Sequence, residues 1–297
     1  MTPLSLSCHG DSQLPPLVLL HGFLGSQSDW QPLLPYLTKQ FYCVCIDLPG
    51  HGGSAAIELP VPGFSRTCQL IRDTLAQLGI HRFHLLGYSL GGRIALHLAD
   101  ELNQQQPGAL LSLGLESCHP GLQTENDILA RQHNDTAWAD KLAQLPLTEF
   151  LPLWYRQGVF AELSENARAA LVEKRRHANR LGLLNCYRAT SLALQQDLRG
   201  VPAQMSGRCY FLAGQQDSKF SALAQRWQQQ QPLRCIAIPD AGHNIHLVNP
   251  TAMAAALIEE AALSQESALS PAPALNEHPS QANTPSPQRH KPDKRHE

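Results

Sequence analysis

Three residue types that together can activate an oxygen nucleophile occur in this chain at telling places. Ser89 sits in Gly87-Tyr88-Ser89-Leu90-Gly91, between an apolar run, Phe83-His84-Leu85-Leu86, and a helix-like run, Gly92 to Ala99. A G-x-S-x-G between strand and helix is a nucleophile elbow, a turn too tight for side chains beside the serine. Asp217 follows the strand-like Cys209 to Ala213 after a short loop, Gly214-Gln215-Gln216. His243 follows the strand-like Cys235 to Ile238 through Pro239-Asp240-Ala241-Gly242. In that order an imidazole can take the serine proton while the carboxylate fixes its tautomer and steadies its positive charge. Asp217 also reads as a helix cap for the residues after it. Asp240 is a rival acid, but it lies in the histidine's own loop, close along the chain. Developing negative charge would be met by two backbone N–H groups. One is that of Leu90, after the nucleophile. The other is that of Phe23, in His21-Gly22-Phe23-Leu24-Gly25, which follows the strand-like Leu17 to Leu20.

The elements that must hold these residues alternate. Strand patterns and helix patterns follow one another from Leu17 to about Ser117, among them Phe41 to Ile46, which ends in Asp47-Leu48-Pro49-Gly50-His51-Gly52-Gly53-Ser54. Phe64 to Leu78 has helical spacing, with Leu70, Ile71, Thr74, Leu75 and Leu78 on one side. Ala109 to Leu115 reads as the strand after the nucleophile helix. From about Gly121 to Leu198 the pattern is helical, and strands resume at Cys209. This predicts an α/β-hydrolase fold: a mostly parallel sheet flanked by helices, residues 1–119 and 200–263, with an all-helical cap, residues 120–199, over the site. Residues 264–297 are rich in Pro, Ser, Gln and Ala without aromatics, and are expected to form a disordered tail.

Bulk properties narrow the partners. The 297 residues carry a formal net charge of −2, which points away from nucleic acid and from a membrane surface. No apolar run approaches transmembrane length, and the first twenty residues lack the basic and long apolar parts of a signal peptide. Eight cysteines are scattered without zinc-site spacing; Cys43 and Cys45, two apart on a strand, read as small core residues. A cytoplasmic protein with reduced thiols is expected, with no metal and no cofactor, acting as a monomer or weak homo-oligomer on a small molecule. The insertion is rich in arginine and lysine. Guanidinium groups turned into an enclosed pocket would select carboxylates. Arg93, one turn into the nucleophile helix, is the most pointed of the chain's arginines.

Taken together, the segments resemble a known family, the 2-succinyl-6-hydroxy-2,4-cyclohexadiene-1-carboxylate synthases of menaquinone biosynthesis. The more particular matches are Gly87-Tyr88-Ser89-Leu90-Gly91-Gly92-Arg93, His119-Pro120-Gly121-Leu122 and Asp217-Ser218-Lys219-Phe220. The first loop, the Asp47 to Ser54 segment, Ala189 to Ala193 and Ala241 to Asn244 match too, so the likeness spans about 17–263. The resemblance implies a lyase that removes a ring proton and expels pyruvate from a substrate with three carboxylates. Ser89 would act as base, and the Phe23 and Leu90 amides would hold the enolate oxygen. By position, the resemblance carries over Arg93, Arg131 and Arg175 as carboxylate partners, with Tyr88 and Trp154 beside the substrate; Lys174 and Arg176 flank Arg175. Two other readings use the same residues: a carboxylic-ester, thioester or carbon–carbon bond hydrolase, and a non-catalytic binding protein on the same scaffold.

Overall fold

A computed structural model of the chain describes residues 3–269. Seven strands build one sheet: β1 (Leu6–His9), β2 (Pro16–Leu20), β3 (Tyr42–Ile46), β4 (Phe83–Tyr88), β5 (Leu110–Glu116), β6 (Arg208–Gly214) and β7 (Arg234–Ile238). Their order is β1-β3-β2-β4-β5-β6-β7. All neighbours are parallel except the β1–β3 pair. The helices are α1 (Leu34–Leu37), α2 (Phe64–Gln77), α3 (Leu90–Gln105), α4 (Glu125–Gln144), α5 (Leu147–Trp154), α6 (Glu165–Arg175), α7 (Arg180–Ala189), α8 (Val201–Gln204), α9 (Ser218–Gln228), α10 (Ile245–Val248) and α11 (Pro250–Leu269).

Parallel strands covered on both faces call for apolar runs; β2 and β3 have them, while β4 and β5 bury His84 and Ser112 as a hydrogen-bonded pair 2.8 Å apart. Along β2, alternate side chains enter opposite layers. Val18 and Leu20 join a core with Ile71 and Leu75 of α2 and Ile94 of α3. Leu17 and Leu19 join one with Leu37 of α1 and Met253 and Leu257 of α11. The strand order reverses between β2 and β4, since β3 lies beyond β2 and β5 beyond β4. A crevice opens at the carboxyl ends of strands at such a switch point. The loop after β2 carries Phe23 and the turn after β4 carries Ser89, so both reach that crevice.

Between β5 and β6 the described chain forms α4 to α8 with short 3-10 turns and no strand. Side-chain caps start three of these helices: Thr124 for α4, Ser164 for α6 and Asn179 for α7. Helices α4 to α7 share a core of their own, with Leu142, Phe150, Leu151, Tyr155, Leu171 and Leu183, and Leu24 of the post-β2 loop is packed into it. The insertion is thereby anchored above the crevice.

Three expectations need correction. β1 lies ahead of the first strand read from sequence; it is a four-residue edge strand with Ser and His among its members, too short for a periodic signal. Leu78 falls outside α2, in the C-cap position, and is 41% exposed. The last core helix reaches at least Leu269, past Ser264, with no Pro or Gly to break it after Pro250. Residues 270–297, most of the expected tail, lie outside the described residues.

Candidate active site

The elbow is made by the backbone. Ser89 has φ 49° and ψ −106°, a strained left-handed-side conformation for a non-glycine residue. A Cβ on Gly87 would collide with the carbonyl of Gly91, and one on Gly91 with the carbonyls of Leu20 and His21 at the end of β2. The two glycines therefore let β4, α3 and β2 meet at the serine. The Ser89 amide donates to Glu116 O at 2.9 Å, fixing the turn to the end of β5. Glu116 is fully buried and accepts from the His246 ring at 2.8 Å and from its backbone N–H at 3.1 Å. His246 thus braces β5 beneath the elbow.

Asp217 serves two partners, one with each oxygen. Oδ1 accepts from the Phe220 amide at 3.0 Å, capping α9. Oδ2 accepts from His243 Nδ1–H at 2.9 Å. The cap and the acid are one residue, and exposed Asp240 takes no part. Phe160, Phe220 and Tyr88 surround the imidazole at ring-centre distances of 5.6, 5.0 and 5.3 Å. The His243 backbone N–H donates to Glu162 of the insertion at 2.9 Å. Among the described residues no hydrogen bond joins the Ser89 hydroxyl to His243; Asp217–His243 is the link already made.

The Phe23 loop is held by two neutral histidines. His21 Nδ1–H donates to Gly22 O at 2.8 Å, and its Nε2 accepts from the Leu48 amide at 3.0 Å. His51 Nδ1–H donates to Pro49 O at 3.0 Å, and its Nε2 accepts from the Leu24 amide at 3.2 Å. Burial lowers both pKa values, that of His51 to about 3, so each ring keeps one donor and one acceptor. Leu90 opens α3, and the first N–H groups of a helix have no intrahelical partner. It lines a cavity together with Ser89, Phe23, Arg93, Arg131 and Trp154.

The residues 17–256 match the model of the Alpha/beta hydrolase family. The 2-succinyl-6-hydroxy-2,4-cyclohexadiene-1-carboxylate synthases of Salmonella typhimurium and Salmonella enteritidis are each 44% identical over 253 residues, covering 84% of this chain and 95% of theirs. The chain belongs to this synthase family. Two solved structures share the fold. MenH from S. aureus superposes with a TM-score of 0.79 at 24% identity, covering 89% of this chain and 100% of its own. The enol-lactonase from Burkholderia xenovorans LB400 gives 0.68 at 18%, covering 89% and 96%.

Within this synthase-family chain the cavity is cationic. Arg93, Arg131 and Lys219 line it, and no Asp or Glu does. Arg93 donates to Thr190 O at 2.8 Å and lies 5.7 Å from the centre of the Phe64 ring. Burial and then the charge of Arg131 lower its pKa to about 10, so it stays protonated near neutrality. Arg131 pairs with Asp135 at 2.7 Å, and Asp135 also accepts from Tyr187 at 3.0 Å and Ser191 at 2.6 Å. Phe23, Trp154 and Tyr187 form an aromatic wall, with centres 4.9 to 5.7 Å apart. The space enclosed is about 110 Å³.

Two expected neighbours of the substrate lie elsewhere. Tyr88 does not line the cavity with Ser89. Its ring packs on Gly22 and His246, and its hydroxyl donates to Asn244. Arg175 does not line the cavity. It is 8% exposed and bound to Asp29 at 2.9 Å, with Lys174 on the other Asp29 oxygen at 2.7 Å. Burial alone would raise the Asp29 pKa; Arg175 and Lys174 outweigh it and hold the carboxyl well below its usual range. The pair ties α6 of the insertion to the core. Sequence reasoning assigned no role to Lys219, His119, Ser117 or Tyr187, all of which line the cavity. Ser117 carries a signal in hindsight, since it directly follows β5, next to the elbow, at φ 46°. Among the described residues no cluster of His, Cys, Asp or Glu is arranged to hold a metal ion, and no helix is long and apolar enough to cross a membrane.

Proposed function

We propose that the chain eliminates pyruvate from 2-succinyl-5-enolpyruvyl-6-hydroxy-3-cyclohexene-1-carboxylate to give 2-succinyl-6-hydroxy-2,4-cyclohexadiene-1-carboxylate, the product in its relatives' name and a step of menaquinone biosynthesis. The observation that carries this reading is a buried Asp217–His243 pair beside a serine whose cavity holds three cations and no acid. A polyanion is drawn into such a space; a neutral lipid ester gains nothing from it.

Ser89 must come within hydrogen-bond distance of His243 Nε2 and pass its proton there, while Asp217 stabilises the imidazolium. The alkoxide then takes the ring proton next to the succinyl ketone. The electron pair moves toward the ketone oxygen, where the Phe23 and Leu90 amides receive the charge. Collapse of that enolate forms a double bond between C2 and C3, moves the existing C3–C4 double bond to C4–C5, and breaks the carbon–oxygen bond at C5 to the enolpyruvyl group. The imidazolium gives its proton to the leaving enolpyruvate, which becomes pyruvate. Serine keeps the ring proton it took, and no acyl-enzyme forms.

The eight cysteines, all free, favour the cytoplasm as the place of work. The test is pyruvate release from the enolpyruvyl substrate by the purified chain. Ser89→Ala and His243→Ala should each lower kcat by about a thousandfold or more while leaving the melting temperature near that of the parent. Near-normal turnover by Ser89→Ala would remove serine from the mechanism. A pre-steady-state burst with water incorporation would instead favour the hydrolase reading.

A further inference from the structure

We propose that Lys219 receives one of the substrate's three carboxylates, completing with Arg93 and Arg131 a three-cation cradle, and so helps restrict the enzyme to polyanions. The assignment rests on the lyase reading for the identity of the substrate, not for the existence of the anion site.

Lys219 shares the cavity with the nucleophilic serine and both arginines. It has no hydrogen bond or ion pair to any described residue, and its Nζ lies 5.5 Å from the centre of the Phe220 ring. Other basic side chains of the insertion are engaged: Arg131 on Asp135, Lys174 and Arg175 on Asp29, Arg180 on the carbonyls of Leu142 and Ala143. Asp217 is the acid closest to Lys219 along the chain, yet both its oxygens are used by His243 and the Phe220 amide.

The position is also a poor one for a lysine. Lys219 is in the first turn of α9, where the helix dipole disfavours positive charge. Although the residue is exposed, desolvation by the surrounding wall and then the charge of Arg131 lower its pKa, and only Asp217 opposes them. A cation held against its local electrostatics, unpaired, at the wall of the reaction space is what an anionic ligand would require. An ammonium on a flexible stem suits this place, because it meets a carboxylate as a point charge without the fixed fork of guanidinium. Three cations then face three carboxylates, and Lys219 takes the part that the family likeness suggested for Arg175.

The experiment compares the full chain with Lys219→Met and Lys219→Arg. In pyruvate release, Lys219→Met should raise KM roughly ten- to a hundredfold, the worth of one hydrogen bond to a charged group, with a smaller change in kcat. Its melting temperature should be equal or higher, and Lys219→Arg should recover most of the KM. A second arm does not need turnover: benzene-1,3,5-tricarboxylate is titrated calorimetrically at two salt concentrations. Lys219→Met should bind it about tenfold more weakly and with a shallower salt dependence. If KM and probe affinity both stay within twofold of the parent, the proposal is overturned. If the parent releases no pyruvate but loses tricarboxylate affinity with Lys219→Met, the anion site stands and the lyase reading falls.

Discussion

Replacing Arg93 by Met separates a binding arginine from a structural one. In the free protein this guanidinium is held at a cost. Its pKa falls from 12.5 to about 10 through burial and the neighbouring Arg131. At about 1.4 kcal/mol per pKa unit, the charged form is disfavoured by roughly 3 kcal/mol. Against this stands one hydrogen bond, to Thr190 O, which contributes about 1 kcal/mol. Methionine keeps the stem that packs on Phe64 and removes the charge. Arg93→Met should therefore melt no lower than the parent, and up to a few degrees higher. Catalysis should move the other way. Two parallel hydrogen bonds to a substrate carboxylate, partly offset by desolvation, contribute about 3 kcal/mol, so kcat/KM should fall by roughly 150-fold. The assay is pyruvate release read as NADH loss with added lactate dehydrogenase, beside a thermal melt. A fall in Tm of ten degrees or more with kcat/KM changed less than tenfold would refute the reasoning, because Arg93 would then be holding the fold and not the ligand.

Asp29→Asn should destabilise the chain by about 3–5 kcal/mol, the cost of leaving a buried cation without its partner, seen as a lower denaturant midpoint; an unchanged midpoint would show that Arg175 and Lys174 do not latch the insertion to the core. Stability should also fall in mild acid. His51, His84 and His97 are buried with pKa values lowered from 6.5 to about 3, 4 and 4, so below about pH 6.5 the unfolded chain takes up protons that the folded chain refuses. Stability is whole above that pH, and each ring should remove about 2 kcal/mol by pH 5, which urea titrations at pH 7 and pH 5 would measure; equal midpoints would refute it.

What the sequence discloses of this protein follows from how local each constraint is. The elbow is legible because its geometry forbids side chains at Gly87 and Gly91, and a forbidden side chain leaves a mark in the sequence. The parallel sheet is legible because strands buried on both faces are mostly apolar. Edge strand β1 has no such obligation and left no mark. Arg175 and Lys219 were harder still. Lys174, Arg175 and Arg176 all carry charge, and which of them faces the core depends on how α6 packs, a matter settled by Asp29 some 145 residues away. Lys219 looks like an ordinary surface lysine until α4 brings Arg131 over the same space. Tyr88 is next to the serine in sequence, yet its ring packs on His243 and His246 and does not line the cavity.

The catalytic parts alone do not choose between elimination and hydrolysis. An activated serine and two amides aimed at an oxyanion serve both, and the fold hosts many chemistries. The choice lies in the cavity's charge. Arg131 is paired with Asp135, yet Arg93 and Lys219 have pKa values lowered first by desolvation and then by repulsion from Arg131. A ligand with several carboxylates relieves that repulsion on entering, while a neutral ester leaves it in place. On the proposed reading the same cations hold the substrate by its carboxylates, leaving the serine to meet a ring C–H instead of a carbonyl carbon. Selectivity for a polyanion and use of serine as a base are then two consequences of one arrangement, and each variant that removes a cation should weaken both.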